Sequence, residues 1–439
     1  MERAPFMPPF SGLVGEFYQL VLAATYHGDG LWGEATFDVF ARALPDGYGY
    51  LVAAGVEPAL QQIEALAFSA AEVELLRKQP VFAKIPATFF EALSRLKFTG
   101  DVHAIPEGTP VFAGEPILRV TGPLVACTLL ETRILQIIGH STAVASRASR
   151  LATAAAGRPV FDFGSRRAGG AESALLAARS AYLGGAHGTT NAMAALGLGI
   201  PAFGTMSDTF LAAYGDDDLA YSAFRLHFPG LGHYSLPDDD PVDGVARFGK
   251  FKDRVSIVRI DHDDVGRLSR TVREALDRHG MPKVKILASG HLDEARIAKM
   301  VAAGCPVDMF AVGRGLASGP DAQMRLAFRI AEMQRGSGRV PVTRDGAAPW
   351  PGRKQVVRLA DHDLVCLESE AGTFGRHGAP LLSPAIVGGR RVNVPDSLSD
   401  IRARRERMVS ALPEALRGMP PSGTREVRIS DALARLSLR

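Results

Sequence analysis

The chain has 439 residues, of which 46% are hydrophobic and 22% charged, and its 50 basic and 47 acidic residues give a net charge of +3. This composition excludes a disordered or collagen-like chain and indicates a globular protein long enough for two domains. So balanced a charge argues against nucleic acid as a partner. The three cysteines are far apart and form no CxxC pair, which argues against a disulfide framework and a zinc site.

Two features of the sequence bear on the cellular location: the N-terminus and one long uncharged stretch. Pro8 and Pro9 interrupt the apolar residues of the N-terminus, which makes it a poor signal peptide. Residues 180–207 contain no Asp, Glu, Lys or Arg, but their glycines, threonines and Pro201 favour an interior segment of a barrel over a membrane span. Together with reduced thiols, these features predict a cytoplasmic protein with no membrane partner.

Helical and strand patterns alternate over residues 1–130. Phe17–Ala24 and Val52–Leu66 have helical patterns, and Ala35–Phe40 alternates as a strand does. Val111–Val120 holds two short apolar runs around a turn, which predicts a β-hairpin. We therefore predict an N-terminal α+β domain over this region.

From about Glu131 a helix-rich stretch leads into strands that alternate with helices. The predicted strands are Val160–Phe163, Ile200–Phe203, Val255–Ile260, Val284–Ala288 and Val307–Val312. The predicted helices between them include Glu172–Tyr182, Val265–His279 and Leu292–Ala303. This alternation is typical of a parallel α/β barrel or sheet.

The remaining segments set the expected domain limits. Residues 229–249 are rich in Gly, Pro and Asp and predict a loop. Gln355–Leu359 and Leu364–Leu367 predict a hairpin that returns to the N-terminal domain. We therefore expect the barrel, with the active-site loops, over residues 131–351, and we expect residues from about 352 to 439 to join residues 1–130.

The loop after the first predicted barrel strand contains two adjacent arginines. Arg166 and Arg167 follow Phe163 at the position where parallel α/β folds place their chemistry. Guanidinium groups bind carboxylates and phosphates in a bidentate way, and an aromatic ring can stack on a planar ligand. The loop alone is equally compatible with arginines that are solvated or paired with acids of the fold.

Several motifs then occur in a fixed order along the chain. The sequence reads FYQLVLAATY near the start, EGTPVFAGEPILRVTGPLVACTLLETRIL further on, and then FGSRR, GTTN, GTMSD, VRIDHDD, ILASGHLDE and MFAVGRGLA. They resemble the nicotinate phosphoribosyltransferase family, whose corresponding patterns include FG-[ST]-R-R, GTSN and GTMAH. The matches run from about residue 13 to 320, and the chain is identified on them as a member of that family.

The resemblance implies a type II phosphoribosyltransferase. Its fold would be an irregular parallel α/β barrel packed on the α+β domain, in a homodimer with each active site at the subunit interface. The reaction would join nicotinate, or a related planar acid, to 5-phosphoribosyl pyrophosphate, giving the mononucleotide and pyrophosphate in NAD biosynthesis. Mg²⁺ is the implied cofactor, and in the family ATP hydrolysis usually drives the reaction through a phosphohistidine.

The resemblance also implies roles for individual residues. The substrate-binding set would be Tyr18 of the partner subunit, Phe163, Arg166, Thr189 and Arg259. The partner subunit's Tyr18 and Phe163 would sandwich the pyridine ring.

Acids and a phosphate loop complete this implied site. Asp261 and Asp264 would be catalytic, because carboxylates stabilise an oxocarbenium-like transition state, and they would also bind the metal. The phosphate-binding residues would be Ser289, Gly290, Gly313, Arg314 and Gly315.

The chain departs from the family pattern at several of these positions. Asp208 stands where the family has its phosphorylatable histidine. Aspartyl phosphates exist, so Asp208 is kept as a catalytic candidate, but loss of ATP coupling is the plainer interpretation, and the use of ATP is left open. Asp263 fills a glycine position, His291 an acid position and Arg314 a small phosphate-loop position.

These departures leave two alternatives open. The chain could be a paralogue that acts on a different base or nucleotide, or a non-catalytic protein that binds phosphoribosyl pyrophosphate or a pyridine nucleotide. His262, Asp263 and His291 could hold a metal, act as a general base, contact a different substrate or interlock by hydrogen bonds.

Overall fold

The computed structural model describes residues 11–237, 240–319, 324–343 and 350–437, with only the backbone described at residues 249 and 250. The chain forms two compact units, residues 1–146 with 321–439 and residues 147–320. The domain limits at residues 130 and 351 stay a prediction. Within the described residues, no helix is long and apolar enough to cross a membrane.

The N-terminal part of the first unit alternates short helices and strands before one long helix. Its elements are α1 (Phe17–Gly28), β1 (Glu34–Ala41), β2 (Leu51–Val52), α2 (Val56–Glu64), α3 (Ala70–Arg77), α4 (Ala87–Ser94), β3 (Asp101–Ala104), β4 (Pro110–Val111), β5 (Pro116–Pro123) and α5 (Leu124–Ala154). The predicted hairpin over residues 111–120 is wrong, because β4 pairs with β2, whereas β5 pairs with β1 and β3. The buried Glu115 carboxylate accepts a hydrogen bond from Phe112 N and shapes the turn that leads from one sheet to the other.

The second unit is a parallel α/β structure. Its elements are β6 (Val160–Asp162), α6 (Ala171–Gly184), β7 (Gly188–Thr189), α7 (Ala192–Leu198), α8 (Asp208–Tyr214), α9 (Asp217–His227), β8 (His233–Ser235), α10 (Pro241–Arg247), β9 (Ile257–Asp261), α11 (Val265–Arg278), β10 (Lys285–Ser289), α12 (Glu294–Ala302), β11 (Met309–Val312) and α13 (Arg314–Ala317). The sheet order is β7-β6-β11-β10-β9-β8, and every pair in it is parallel. The predicted parallel α/β architecture is confirmed.

Two predictions for this unit are wrong. Residues 200–203 do not form a strand of the sheet; a single bridge joins Ala202 to Thr189 of β7. Pro201 has no N–H to donate, although its carbonyl accepts a hydrogen bond from Thr189 N at 3.0 Å. Residues 229–249, predicted as a loop, contain β8 and α10.

The C-terminal part of the chain completes the first unit. Its elements are β12 (Leu326–Arg335), β13 (Gly338–Pro341), β14 (Lys354–Arg358), β15 (His362–Leu367), α14 (Ala371–Phe374), β16 (Ala379–Pro380), β17 (Ser383–Val387), β18 (Arg390–Arg391), α15 (Leu398–Ser410), α16 (Glu414–Arg417), β19 (Glu426–Ile429) and α17 (Asp431–Ser437). The predicted hairpin of β14 and β15 is confirmed. β12 and β13, which we placed in the barrel region, instead pair with β1 and with each other.

The sheets of the first unit are mostly antiparallel. The largest has the order β13-β12-β1-β5-β3-β17-β18, and all its pairs are antiparallel. A second sheet has the order β16-β14-β15-β19. Helices and antiparallel strands together confirm the α+β character predicted for this part of the chain.

Strand alternation determines which side chains of the second unit meet on the inner face of its sheet. Successive residues of a strand point to opposite faces. In β9, Ile257, Arg259 and Asp261 share one face, while Val258 and Ile260 are buried on the other. The inner face begins with an apolar cluster at one end of the strands and becomes polar at their carboxyl ends. The cluster contains Ile257, Leu287, Met309 and Ala311, packed against Phe161, Phe163 and Phe203.

Candidate active site

A cavity of about 220 Å³ opens where the carboxyl ends of β6, β9, β10 and β11 meet. The predicted site residues that line it are Phe163, Arg166, Arg259, Asp261, Ser289, Gly290, Gly313 and Arg314. Its other lining residues are Arg167, His291, Leu292 and Ala311. Leu292 and Ala311 were missed by our prediction, although alternation along β11 from Met309 to Ala311, continued to Gly313 directly after the strand, already places Ala311 on the same face as Gly313.

A buried hydrogen-bond network fixes the acid of this cavity. Arg259 is 7% exposed, and its Nε donates to Ser289 Oγ at 2.9 Å. Its guanidinium also forms an ion pair with the Asp261 carboxylate through Oδ2. The Ser289 hydroxyl lies 3.1 Å from Asp261 Oδ2. Because both contacts with the Asp261 carboxylate use Oδ2, they orient the carboxylate and leave Oδ1 without a hydrogen bond to a described residue.

The β-sheet register explains why these three residues meet. In the parallel pair of β9 and β10, Asp261 stands opposite Ser289 and Arg259 stands opposite Leu287. Residues two apart on one strand share a face, so the Arg259 side chain reaches both Asp261 and the neighbouring Ser289. The network is therefore a direct consequence of alternation in two adjacent strands.

Three further guanidinium groups surround the cavity without an anionic partner. Arg166, Arg167 and Arg314 are exposed, and none of their guanidinium groups forms a hydrogen bond or ion pair with another described residue. Arg259 is balanced by Asp261, so the cavity carries an excess of positive charge. Arginine binds phosphate oxygens bidentately, and a cleft of one charge sign concentrates ligands of the opposite sign. The site suits a polyanion.

The backbone after β10 is shaped for close approach. Gly290 has φ +108°, and a Cβ at this position would lie 2.6 Å from His262 O and 3.0 Å from Asp261 Oδ1. His291 follows at φ +47°, in the left-handed region that non-glycine residues rarely adopt. A Cβ on Gly315 would lie 2.4 Å from Leu292 O, so this residue supports the loop that lines the cavity.

A buried acid outside the cavity orders the loop that carries Arg166. Asp162 is 1% exposed; its Oδ1 accepts from Gly164 N and its Oδ2 from Thr189 Oγ1, both at 2.7 Å. Burial raises the pKa of Asp162, against the effect of these two hydrogen bonds. Thr189 does not line the cavity, and its hydroxyl is used for this contact.

The remaining predicted residues lie elsewhere. Asp264 caps α11, with its Oδ1 3.3 Å from Arg267 N and its Oδ2 3.3 Å from Arg267 Nε, and it lines a different cavity. Asp208 is the first residue of α8 and is exposed. Tyr18 belongs to α1 of the first unit and is 52% exposed. Asp261 and Asp264, which the sequence placed together, therefore do not share a cavity.

The histidines noted in the sequence form local contacts. His262 Nδ1 accepts from Asp264 N at 2.9 Å, and His291 Nδ1 lies 3.4 Å from Asp263 Oδ1. The His291 and Asp263 side chains are 73% and 83% exposed. Among the described residues there is no group of three or more His, Cys, Asp or Glu side chains that could hold a metal ion.

The fold and the cavity define a class of protein: a parallel α/β protein whose anion-binding site lies at the carboxyl ends of its strands. Residues 13–139 match the model of the nicotinate phosphoribosyltransferase N-terminal domain. A nicotinate phosphoribosyltransferase of Mycobacterium tuberculosis is 37% identical over 435 residues, covering 96% of this chain and 92% of the relative. The chain belongs to the nicotinate phosphoribosyltransferase family.

Other proteins are similar to this chain in sequence or in fold. A nicotinate phosphoribosyltransferase of Bacillus subtilis is 31% identical and covers 78% of this chain and 72% of its own length. The crystal structure of human nicotinic acid phosphoribosyltransferase has the same fold, with a TM-score of 0.81 at 23% identity, covering 97% of this chain and 99% of the human one. The nicotinate-nucleotide pyrophosphorylase from Pyrococcus furiosus superposes with a TM-score of 0.75 at 24% identity, covering 91% of this chain and 95% of its own.

Proposed function

We propose that this protein is a nicotinate phosphoribosyltransferase that joins nicotinate to 5-phosphoribosyl pyrophosphate and releases pyrophosphate, in NAD biosynthesis. Family membership supports the reaction, and the cavity supports its location. The single observation that carries the location is the joint presence of three unpaired arginines and one oriented carboxylate in one cleft. The similarity to nicotinate phosphoribosyltransferases favours this enzyme over the alternative of a paralogue or a non-catalytic binding protein.

The geometry suggests how the residues act. Arg166, Arg167 and Arg314 would bind the phosphate and pyrophosphate oxygens, and the half-buried Phe163 would stack on the pyridine ring. As the bond from the anomeric carbon to pyrophosphate breaks, positive charge develops on the ribose. The Asp261 carboxylate, held by Arg259 and Ser289, is positioned to stabilise that charge. Gly290 and Gly313 line the cavity beside these arginines, where the 5′-phosphate would bind.

The cavity offers one protein ligand for Mg²⁺, the Asp261 carboxylate. Magnesium is usually held by one or two carboxylates together with substrate phosphates, and Asp261 Oδ1 is available for that role. The ion would neutralise charge on the leaving pyrophosphate. The role of Asp264 as a second ligand stays a prediction, since its carboxylate would first have to leave Arg267.

We further propose that turnover does not depend on ATP. Asp208, at the position of the family's phosphohistidine, begins the seven-residue helix α8 and is exposed. With a carboxylate in place of an imidazole, the phosphohistidine route is not open to this chain. Initial rates with and without ATP test this: equal rates agree with the proposal, and a strict requirement for ATP contradicts it.

Two structural features belong to the same proposal. The barrel would be closed by residues 201–204, because this segment bonds to β7 and its Gly204 O lies 3.2 Å from His233 Nδ1 in β8. The active form would be a cytoplasmic homodimer in which the partner subunit's Tyr18 covers the pyridine ring. Mixing Tyr18→Ala protein with Arg166→Ala protein should restore activity through hybrid dimers; no restoration would contradict the shared site.

The identity of the base is tested with a substrate panel. Purified protein is incubated with phosphoribosyl pyrophosphate, Mg²⁺ and one of nicotinate, nicotinamide or quinolinate. The proposal expects mononucleotide from nicotinate at the highest kcat/KM. A faster reaction with another base would favour the paralogue, and tight binding of phosphoribosyl pyrophosphate without any product would favour the non-catalytic protein.

A further inference from the structure

A second cavity of about 470 Å³ lies in the same unit, between the first turns of α11 and one side of α12 from Arg296 to its C-terminal end. Its volume is within the range of small-molecule sites in proteins. Its floor is apolar, because Val265, Met300 and Cys305 line it with buried side chains. Such a floor can receive an uncharged ring or a sugar. It shares only Leu292 with the candidate active site.

The rim of this cavity is cationic. It carries four basic side chains and two carboxylates, which are Arg267, Arg270, Arg296 and Lys299 with Asp263 and Asp264. Lys299 is exposed, and its side-chain ammonium forms no hydrogen bond or ion pair with a described residue. Arg270 donates to the backbone carbonyl of Ala303 at 2.5 Å, which leaves its charge without a carboxylate. The rim therefore keeps an excess of positive charge.

Arg296 connects this cavity to the candidate active site. Its Nη1 donates to His291 O at 3.0 Å and its Nη2 to Asp263 O at 3.2 Å. These two carbonyls belong to the loops that follow β10 and β9. Gly290 lies in the first of these loops and Asp261 ends β9 directly before the second, and both residues line the active-site cavity. One guanidinium thus holds two active-site loops together from the side of the second cavity.

We propose that this cavity binds an organic phosphate as an effector. The phosphate would lie on the rim beside Lys299 and Arg270, and the uncharged part of the ligand would lie on the apolar floor. A phosphate there competes with the carbonyls of His291 and Asp263 for the Arg296 guanidinium. Binding therefore loosens the two loops and raises the KM for phosphoribosyl pyrophosphate. Only this kinetic effect rests on the proposed function, because binding itself can be measured without turnover.

The binding experiment uses adenosine monophosphate, which is neither a substrate nor a product of the proposed reaction. Calorimetric titrations compare the wild type with Lys299→Glu and with a matched control, Lys283→Glu, an exposed lysine that lines neither cavity. We expect Lys299→Glu to weaken binding by about tenfold or more, as a lost charge-assisted hydrogen bond does, and the control to bind as the wild type does. Inorganic phosphate, which cannot use the apolar floor, should bind more weakly than the nucleotide.

Three results would overturn the proposal. The first is the absence of adenosine monophosphate binding at millimolar concentration. The second is binding that is lost in Arg314→Gln but kept in Lys299→Glu, because the nucleotide would then occupy the active-site cavity. The third is inorganic phosphate that binds as tightly as the nucleotide.

The kinetic arm tests the coupling. Without the nucleotide, Lys299→Glu should have the kcat of the wild type, because Lys299 lies outside the candidate active site. Adenosine monophosphate should raise the KM for phosphoribosyl pyrophosphate in the wild type and not in Lys299→Glu. An equal rise in both proteins contradicts the coupling. If no turnover is found with any base, the proposed function fails, while the titrations still decide on the site.

Discussion

Replacing Gly290 with alanine adds a methyl group at a crowded point of the candidate active site. The new Cβ would lie 2.6 Å from His262 O, 2.9 Å from His262 N and 3.0 Å from Asp261 Oδ1, on a backbone with φ +108°. The backbone strain alone costs about 1–3 kcal/mol. The loop after β9 must also move, and with it the Asp261 carboxylate. A displacement of about 1 Å in a catalytic group can lower the rate by about 100-fold.

The assay measures kcat and KM for phosphoribosyl pyrophosphate together with the urea midpoint of unfolding. We expect Gly290→Ala to lose most of its kcat while remaining folded. Gly230→Ala is the matched control, because no atom lies within 4 Å of its added Cβ and its φ is outside the left-handed region. A Gly290→Ala enzyme with the kcat of the wild type would refute the placement of Asp261 at the reacting centre.

Arg314→Gln should raise the KM for phosphoribosyl pyrophosphate by about 10- to 100-fold, which corresponds to the loss of one charge-assisted hydrogen bond. Arg314→Lys should recover part of this loss. An unchanged KM would show that Arg314 does not bind the phosphate. Thr189→Val leaves the buried Asp162 Oδ2 without its hydroxyl donor and should lower the free energy of unfolding by about 1–3 kcal/mol in urea titrations, whereas Thr189→Ser should not. A loss seen only in the KM for nicotinate would instead support the substrate-binding role first assigned to Thr189. In the first unit, burial and the neighbouring Asp363 raise the pKa of Glu115 well above 4.5. The folded chain therefore keeps a proton that the unfolded chain loses. For this reason the free energy of unfolding falls as the pH rises above 4.5. Glu115→Gln has no carboxyl group to titrate at this position, so its stability relative to the wild type should increase as the pH rises above 4.5. Urea titrations that show the same difference in stability at every pH would contradict the raised pKa.

Sequence patterns located the central strands well because those strands are short apolar runs with no competing interpretation. β11 carries only apolar residues, and β10 has an apolar centre, Ile286–Ala288, as strands covered on both faces do. β8 was missed because its three residues, His233, Tyr234 and Ser235, have no apolar pattern. Residues 200–203 have the pattern but contain Pro201, and they bond to β7 through one bridge only. Whether such a segment becomes a strand of the sheet depends on its pairing partners, and these are distant in sequence.

The candidate site was predictable to the extent that it follows from strand alternation. Arg259 and Asp261 are two residues apart on β9 and face the same side, as the pattern requires. Asp264 comes three residues after the end of β9, and there its carboxylate caps α11 instead of facing the cavity. The same motif thus contains one acid that the strand orients inward and one that the helix uses. Sequence spacing alone does not separate these two uses, because both depend on where the strand ends.

The most direct test measures nicotinate mononucleotide and pyrophosphate in one reaction, for the wild type, Asp261→Asn and the control Asp293→Asn, whose carboxylate caps α12 outside the active-site cavity. The account predicts equal amounts of the two products from the wild type. It predicts a loss of about 100-fold or more in kcat for Asp261→Asn, as for other groups that stabilise a transition state, and near-normal turnover for the control. Wild-type kcat in Asp261→Asn, or pyrophosphate released without mononucleotide, would contradict it.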